Sequence, residues 1–218
     1  MMVFATRTLL ATAAFALVCA QPTFGMSVGG GMMMDFADLG YVRVRGPGVQ
    51  HNTMSIEHLG FGAWGFFDAT FAEISVGALG GPAEWYRQGD EEPTERGSFF
   101  ALDFGVLGRY PIALPGGRVS IFPLAGLGYN LVLASTEEGE RTDSPTRLSS
   151  LRLQFGAGGD VNISENAFFR ASVLGTWHFP GRYFDDWAAQ TRDPDLGIAA
   201  RTEGSAGVTV KLGVGFRL

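Results

Sequence analysis

The sequence has a single cysteine, a single lysine, few charged residues and no long apolar run beyond its N-terminal region. Charged residues make up 17% of its 218 residues, against about 25% in soluble domains, so an ordinary soluble enzyme is disfavoured. The net charge of −6 argues against nucleic acid as a partner. Without about 18 consecutive apolar residues after the N-terminal region, no transmembrane helix is expected. Glycine, with 32 residues, and aromatic side chains, at 12%, are abundant instead.

The first twenty residues have the organisation of a signal peptide. Arg7 precedes the apolar run TLLATAAFALVCA, which is shorter than the roughly 20 residues that a spanning helix needs. Small residues predict cleavage after Ala20, with cleavage after Gly25 as the alternative. Cys19 could instead be a lipid-modified N-terminus, although Val18 is unusual before such a cysteine. Cleavage after Ala20 or Gly25 leaves no cysteine, and therefore no disulfide and no thiol chemistry.

Eight segments alternate apolar side chains with polar or glycine residues. The last one, VTVKLGVGFRL from Val208 to Leu218, places only apolar residues on one face, because successive side chains of a strand point to opposite faces. The segment from Leu59 to Phe67 is the least regular, since Trp64 falls on the side expected to be polar. The eight segments begin at Met26, Leu59, Phe71, Ser98, Val119, Ser149, Phe168 and Val208.

Short and long connections take turns between these segments. The short links are 68–70, 111–118 and 164–167, and the long polar links are 37–58, 80–97, 136–148 and 180–205. In an up-and-down barrel, this order gathers the short turns at one end and the long loops at the other. Outer-membrane barrels have this asymmetry, with an even strand number and strands of about 10 residues.

The apolar face of such a barrel could point outward to lipid or inward, as in a soluble lipocalin. The polar face is rich in glycine and too small to cover an exterior in water; its glycines include Gly126, Gly128, Gly156, Gly158, Gly213 and Gly215. The apolar face has aromatic residues near the strand ends, as interfacial girdles require. We therefore predict an all-β fold, an eight-stranded antiparallel up-and-down transmembrane β-barrel over residues 26–218, after a signal peptide of residues 1–20.

The C-terminal residues KLGVGFRL resemble the C-terminal signature of bacterial outer-membrane proteins. The resemblance implies that Lys211, Gly213, Phe216 and Leu218 form the signal that the barrel-assembly machinery recognises. The match departs at Leu218, because such proteins often end in phenylalanine. The eight-strand plan is similar to the small barrels of the OmpA, OmpX and OmpW type. This similarity implies a position in outer-membrane lipid of a diderm bacterium.

The inward face is predicted to hold a network of paired charges. The interior of an eight-stranded barrel is just wide enough for side chains to fill it, and unpaired charges there would be costly. The network comprises Asp35, Glu73, Asp103, Arg109, Arg152, Asp160, Arg170, Lys211 and Arg217. We therefore predict a structural or surface-interaction protein. The alternative is a narrow channel or an OmpW-like conduit for small molecules.

No catalytic site is predicted, and the sequence does not favour the alternative of a lipid-modifying enzyme. His178 faces inward near the long-loop end, but Ser172 is six residues away on the same strand, about 20 Å at 3.3 Å per residue. His51 and His58 fall in or near the first long loop and are expected to be solvated or packed. The protein is therefore expected to be non-enzymatic.

The long loops are acidic, but their spacing does not match a dedicated calcium loop. No metal or other cofactor is predicted. Tyr183, Phe184 and Trp187 lie close together in the fourth long loop. These aromatic residues could form an adhesive patch for a host or envelope partner.

Overall fold

The computed structural model describes residues 25–47, 49–87, 92–137, 140–141 and 144–218. The expected signal peptide, residues 1–20, lies outside these residues. Its cleavage therefore stays a prediction.

Eight long strands form the wall of a closed barrel. They are β1 (Met26–Gly46), β2 (Val49–Ala69), β3 (Ala72–Arg87), β4 (Glu95–Arg109), β5 (Val119–Glu137), β6 (Ser150–Asn162), β7 (Ala167–Phe179) and β8 (Ser205–Arg217). Each strand pairs antiparallel with the next, and β8 pairs with β1 from Ser27 opposite Arg217 to Ala37 opposite Gly207. The predicted eight-stranded antiparallel up-and-down barrel is confirmed.

The outward side chains of these strands form an apolar belt around the barrel. Met32 is 72% exposed, Val106 58% and Val173 53%. Such a continuous exposed apolar surface is far larger than soluble proteins tolerate, and it is the surface of a transmembrane barrel. On β2, Phe61 and Phe67 face outward, whereas Trp64 lies in the lumen. The irregular pattern of that segment therefore comes from aromatic residues that fill the interior.

The seam between β1 and β8 closes over glycines. Gly31 lies opposite Gly213, and Gly29 lies opposite Gly215. A Cβ atom added to Gly31 would lie 2.0 Å from the carbonyl oxygen of Leu212. Because the strands approach so closely here, larger residues on the inward face would prevent the seam from closing.

The long-loop end differs from the prediction of four polar links. β1 and β2 continue through the expected link 37–58 as a hairpin, in which β1 ends at Gly46 and β2 begins at Val49. β3 and β4 likewise extend into the second expected link, as far as Arg87 and from Glu95. The physical reason is a second alternation, in which Val42 and Val44 face inward above the belt.

The fourth link, 180–205, folds into a cap over the lumen. It contains the helix α1 (Arg182–Thr191) and a short strand, Ala199–Glu203, that pairs with β1 at Tyr41–Arg45. A 3-10 helix, Pro145–Leu148, contributes Leu148 to the apolar cluster beneath this cap. The buried members of the cap include Val42, Val44, Met54, Ile56, Trp85, Leu148, Phe184, Ala188 and Ala200.

No helix in the described part of the chain is both long enough and apolar enough to span a bilayer.

The belt can be tested by placing a charge at its mid-height. Val173→Arg is expected to lower the free energy of unfolding by about 2–4 kcal/mol, because arginine on the lipid face is costly near the midplane. Denaturant unfolding in lipid vesicles, followed by tryptophan fluorescence, measures this change. Leu196→Arg is the matched control, since Leu196 is 65% exposed in the cap. An equal loss in both variants would contradict a lipid-facing belt.

Candidate functional site in the barrel lumen

A charge cluster closes the lumen near the short-turn end. The guanidinium of Arg170 lies 2.7 Å from Asp160, 3.0 Å from Glu73 and 2.7 Å from Asp68. Arg109 also pairs with Asp68 and lies 3.4 Å from Asp160. All five side chains are buried, and they come from β2, β3, β4, β6 and β7. The cluster therefore joins five of the eight strands across the interior.

Aromatic rings enclose the two guanidinium groups of this cluster. Cζ of Arg170 lies 4.2 Å from the ring centroid of Phe66 and 5.0 Å from that of Phe168. Cζ of Arg109 lies 4.1 Å from the ring centroid of Phe122. The rings exclude water and add a cation–π attraction, so both ion pairing and packing hold the guanidinium groups in place.

An apolar layer and one lysine occupy the middle of the lumen. Nζ of Lys211 lies 3.3 Å from Oγ of Ser75 and 5.1 Å from the ring centroid of Trp64. The apolar layer comprises Leu107, Phe122, Leu124 and Leu174. Lumen side chains therefore fill the space between the short-turn cluster and the polar groups beyond it.

A second charge cluster lies below the cap. Nε2 of His58 lies 2.9 Å from Oδ2 of Asp35, which is also 3.7 Å from a guanidinium nitrogen of Arg152. Thr209 donates a hydrogen bond to Asp35, and Arg152 pairs with Asp103. These side chains are at most 2% exposed. They join β1, β2, β4, β6 and β8, so this cluster is a second cross-link of the barrel.

His178 lies beside this upper cluster and has hydroxyl partners. Its Nδ1 is 3.1 Å from Oγ of Ser150, and its Nε2 is 3.3 Å from Oγ1 of Thr176. Its ring centroid is 6.4 Å from that of His58. The cross-strand partner that the sequence could not supply is therefore Ser150. Because all four side chains are buried under the cap, an external substrate has no access to them.

The nine predicted lumen residues are not all equivalent in the structure. Seven of them form ion pairs: Asp35, Glu73, Asp103, Arg109, Arg152, Asp160 and Arg170. Lys211 is buried without a carboxylate partner among the described residues. Arg217 lies at the short-turn rim, where it donates hydrogen bonds to Asn162 and to the carbonyl oxygen of Glu165, 3.0 Å away.

Two members of these clusters are not predicted from the sequence. Asp68 falls in a predicted tight turn and His58 in a predicted long loop, but both are in β2 and both face the lumen. Their positions along the strand could have identified them, because residues an even number of positions apart lie on the same face. Asp68 and His58 are an even number of positions from Trp64 and Phe66, so they face the lumen with those two rings.

The four residues of the C-terminal signature occupy both faces of β8. Lys211 and Gly213 face the lumen, whereas Phe216 is 54% and Leu218 76% exposed on the outer surface. This arrangement leaves the two apolar signature residues accessible at the short-turn end.

The predicted aromatic patch of the fourth long loop requires a correction. Phe184 is completely buried in the cap, and Tyr183 and Trp187 pack against the same apolar cluster. The hydrophobic side of α1 therefore covers the lumen. These three residues do not form an exposed adhesive surface.

A recess of about 490 Å³ opens from the short-turn end and stops at the first charge cluster. Asp68, Arg109 and Asp160 form part of its lining, together with Arg217. In the portion of the chain that the structure describes, no group of three or more His, Cys, Asp or Glu side chains is arranged to hold a metal ion.

No protein-family model matches the chain, and no curated protein matches its sequence. Solved outer-membrane barrels do resemble it. Neisserial surface protein A (NspA) is 10% identical, with a TM-score of 0.48 over 89% of this chain and 97% of that chain. Ail, the attachment invasion locus protein of Yersinia pestis, solved with the heparin analogue sucrose octasulfate, is 18% identical, with a TM-score of 0.37 over 89% and 99%. The outer membrane protease OmpT of Escherichia coli is 6% identical, with a TM-score of 0.36 over 91% and 98%.

These neighbours include both an attachment protein and a protease, and all three TM-scores are below 0.5, so the likeness assigns no activity to this chain.

The short-turn cluster can be tested by removing its central cation. Arg170→Met is expected to lower the free energy of unfolding by about 3–5 kcal/mol, because it leaves the buried Glu73 without an ion pair and leaves Asp68 and Asp160 with Arg109 alone. Arg217→Met is the matched control, and a loss within about 1 kcal/mol is expected for it because Arg217 lies at the rim. Denaturant unfolding in vesicles measures both values. Equal losses would show that the buried pairing contributes no special stability.

Proposed function

We propose that the protein is a non-enzymatic, non-conducting barrel of the outer membrane of a diderm bacterium, with a structural or surface-interaction role. The observation that supports this proposal best is the blocked lumen. Two buried charge clusters, an apolar layer and an apolar cap follow one another along the barrel axis. A solute that enters the short-turn recess meets the ion pairs of Arg170 and Arg109. Breaking these buried pairs would be costly.

A rigid cap supports the surface-interaction part of the proposal. The cap combines the β1–β2 hairpin, α1 and the short strand around one apolar cluster. Because that cluster is continuous with the lumen, the outer surface of the cap is held in one arrangement. A preorganised surface binds a partner with little loss of conformational entropy.

The accessible C-terminal signature supports recognition by the barrel-assembly machinery. Phe216 and Leu218 are exposed on the lipid-facing side, while Gly213 allows β8 to approach β1 at the seam. In this proposal, β8 is first recognised by the assembly machinery and then pairs with β1 to close the barrel.

A narrow channel is the second candidate function. The amide groups of Asn130 and Gln154 are buried in the lumen without hydrogen-bond partners among the described residues. Such polar groups usually bind ordered water, which favours some hydration between the two charge clusters. The apolar layer and the cap still interrupt any continuous path, so we favour the closed barrel.

Conductance separates the two candidates. The full chain refolded into planar bilayers is expected to produce no single-channel steps, because its lumen is blocked at several levels. Heat-modifiable gel migration serves as the control that the protein has refolded. Reproducible steps that disappear in Asp103→Asn would contradict the closed barrel and support the channel.

Catalysis by His178 has its own test. His178→Ala is expected to leave the lipid A profile of the host unchanged, because His178 is inaccessible below the cap. Mass spectrometry of extracted lipid A measures this profile, with the wild-type strain and a strain lacking the protein as controls. A modification present only with the intact histidine would establish an enzyme.

A further inference from the structure

Three arginines share one exposed face of the cap. Arg43 on β1 lies directly opposite Arg201 on the short strand, and Arg45 follows two residues later on β1. Directly opposite residues of an antiparallel pair have Cβ atoms about 5 Å apart, and residues two apart on a strand are separated by about 6.6 Å. The three cations therefore form a compact basic face, in a chain whose net charge is −6.

Among the described residues, a single carboxylate pairs with the arginines of this basic face. Glu203 lies 3.3 Å from Arg43 and 2.6 Å from Arg201. The hydrogen bond from Arg201 lowers the pKa of Glu203 below its usual value, so this carboxylate stays ionised. Arg45 is exposed and has no partner among the described residues. One carboxylate against three guanidinium groups leaves an excess of about two positive charges.

The direction of the face indicates where its partner lies. Phe36, at the upper edge of the belt, is 55% exposed to lipid. Two register shifts against β2, between Asp38 and Tyr41 and between Val42 and Arg43, precede Arg43 and Arg45, which again point away from the lumen. At about 3.3 Å per residue, these arginines lie roughly 20–30 Å along the strand from Phe36. The basic face therefore continues the lipid-facing side of β1 above the membrane and points sideways.

A neighbouring turn of the cap carries the opposite charge. The turn that joins Asp193 to Ile198 carries the exposed Asp195 at the tip. A polyanion that approaches this turn from solution meets a carboxylate. An anion that lies beside the barrel, at the level of the lipid headgroups and their sugars, meets the three arginines.

We propose that Arg43, Arg45 and Arg201 form a binding surface for the anionic sugars of glycolipids in the same outer leaflet. Phosphate and carboxylate groups on such sugars match guanidinium groups, which bind them through two parallel hydrogen bonds. The proposal rests on the outer-membrane location under the proposed function, and it adds a ligand class that the closed lumen does not require.

The test uses the phosphorylated core oligosaccharide released from a rough lipopolysaccharide. Fluorescence anisotropy measures its binding to the full chain refolded in phosphatidylcholine vesicles. The double variant Arg45→Gln with Arg201→Gln is expected to weaken binding about thirtyfold, as two surface cations would. Glu203→Gln is expected to strengthen it about fivefold, because it releases two guanidinium groups from their shared carboxylate.

Two control variants each lose one charge elsewhere, and their combination loses the same two charges as the double variant. Arg182→Gln lies in the first turn of α1, and Arg118→Gln lies at the short-turn end; both are expected to bind as the wild type does. Heat-modifiable migration confirms that each variant is folded. The dephosphorylated oligosaccharide is expected to bind weakly to all of them.

Several outcomes would overturn the proposal. Unchanged binding in the folded double variant would exclude this face, and an equal loss in the two controls would reduce the effect to overall charge. Heparin that binds more tightly than the core oligosaccharide, with the same variant dependence, would assign the face to a soluble polyanion. Conductance is measured separately. Loss of the expected oligosaccharide binding would therefore leave the closed-barrel proposal unaffected, and conductance by a protein that still binds the oligosaccharide would leave the binding proposal unaffected.

Discussion

The pairing of β1 with β8 is the contact on which the rest of this structure depends. In a bilayer, every backbone N–H and C=O group within the apolar belt must be hydrogen-bonded inside the protein. Eleven paired positions, from Ser27 with Arg217 to Ala37 with Gly207, satisfy the last open edge. Closure also creates the enclosed lumen, and only an enclosed lumen brings Asp35 of β1 beside Thr209 of β8. The charge clusters therefore depend on the seam, which the glycines Gly31 and Gly213 permit.

The two charge clusters then fix the barrel from within. Each draws side chains from five strands, and together they include members of every strand except β5. β5 supplies Phe122 and Leu124 to the packing between them. An interior built in this way resists shear between strands, because a sliding strand would separate buried charges. This internal rigidity suits a scaffold that holds a surface in place better than it suits a conduit that must open.

The alternation of side chains was sufficient to predict the strand number, the pairing order and the outward face. It worked best where one face is purely apolar, as from Val208 to Phe216. It was insufficient on β2, because Trp64 and Phe66 are apolar residues in a polar lumen, which also hid His58 and Asp68. It could not supply cross-strand neighbours, such as Ser150 beside His178, because register depends on the closed barrel. The cap was not predicted, because the inward alternation that includes Val42 starts only after the register shift between Asp38 and Tyr41, and Phe184 joins the same apolar cluster from a helix.

The unequal lengths of the strands give the molecule a front and a back within the membrane plane. β1 and β2 have 21 residues each, whereas β6, β7 and β8 have 13. The wall is therefore higher at β1 and β2 than at β6, β7 and β8. The helix α1 follows β7 and packs against β1. A lipid or protein diffusing around the barrel meets a different outline at each angle. The height of the surface that a neighbour in the leaflet meets therefore depends on the side from which it approaches, unlike that of a barrel of uniform height.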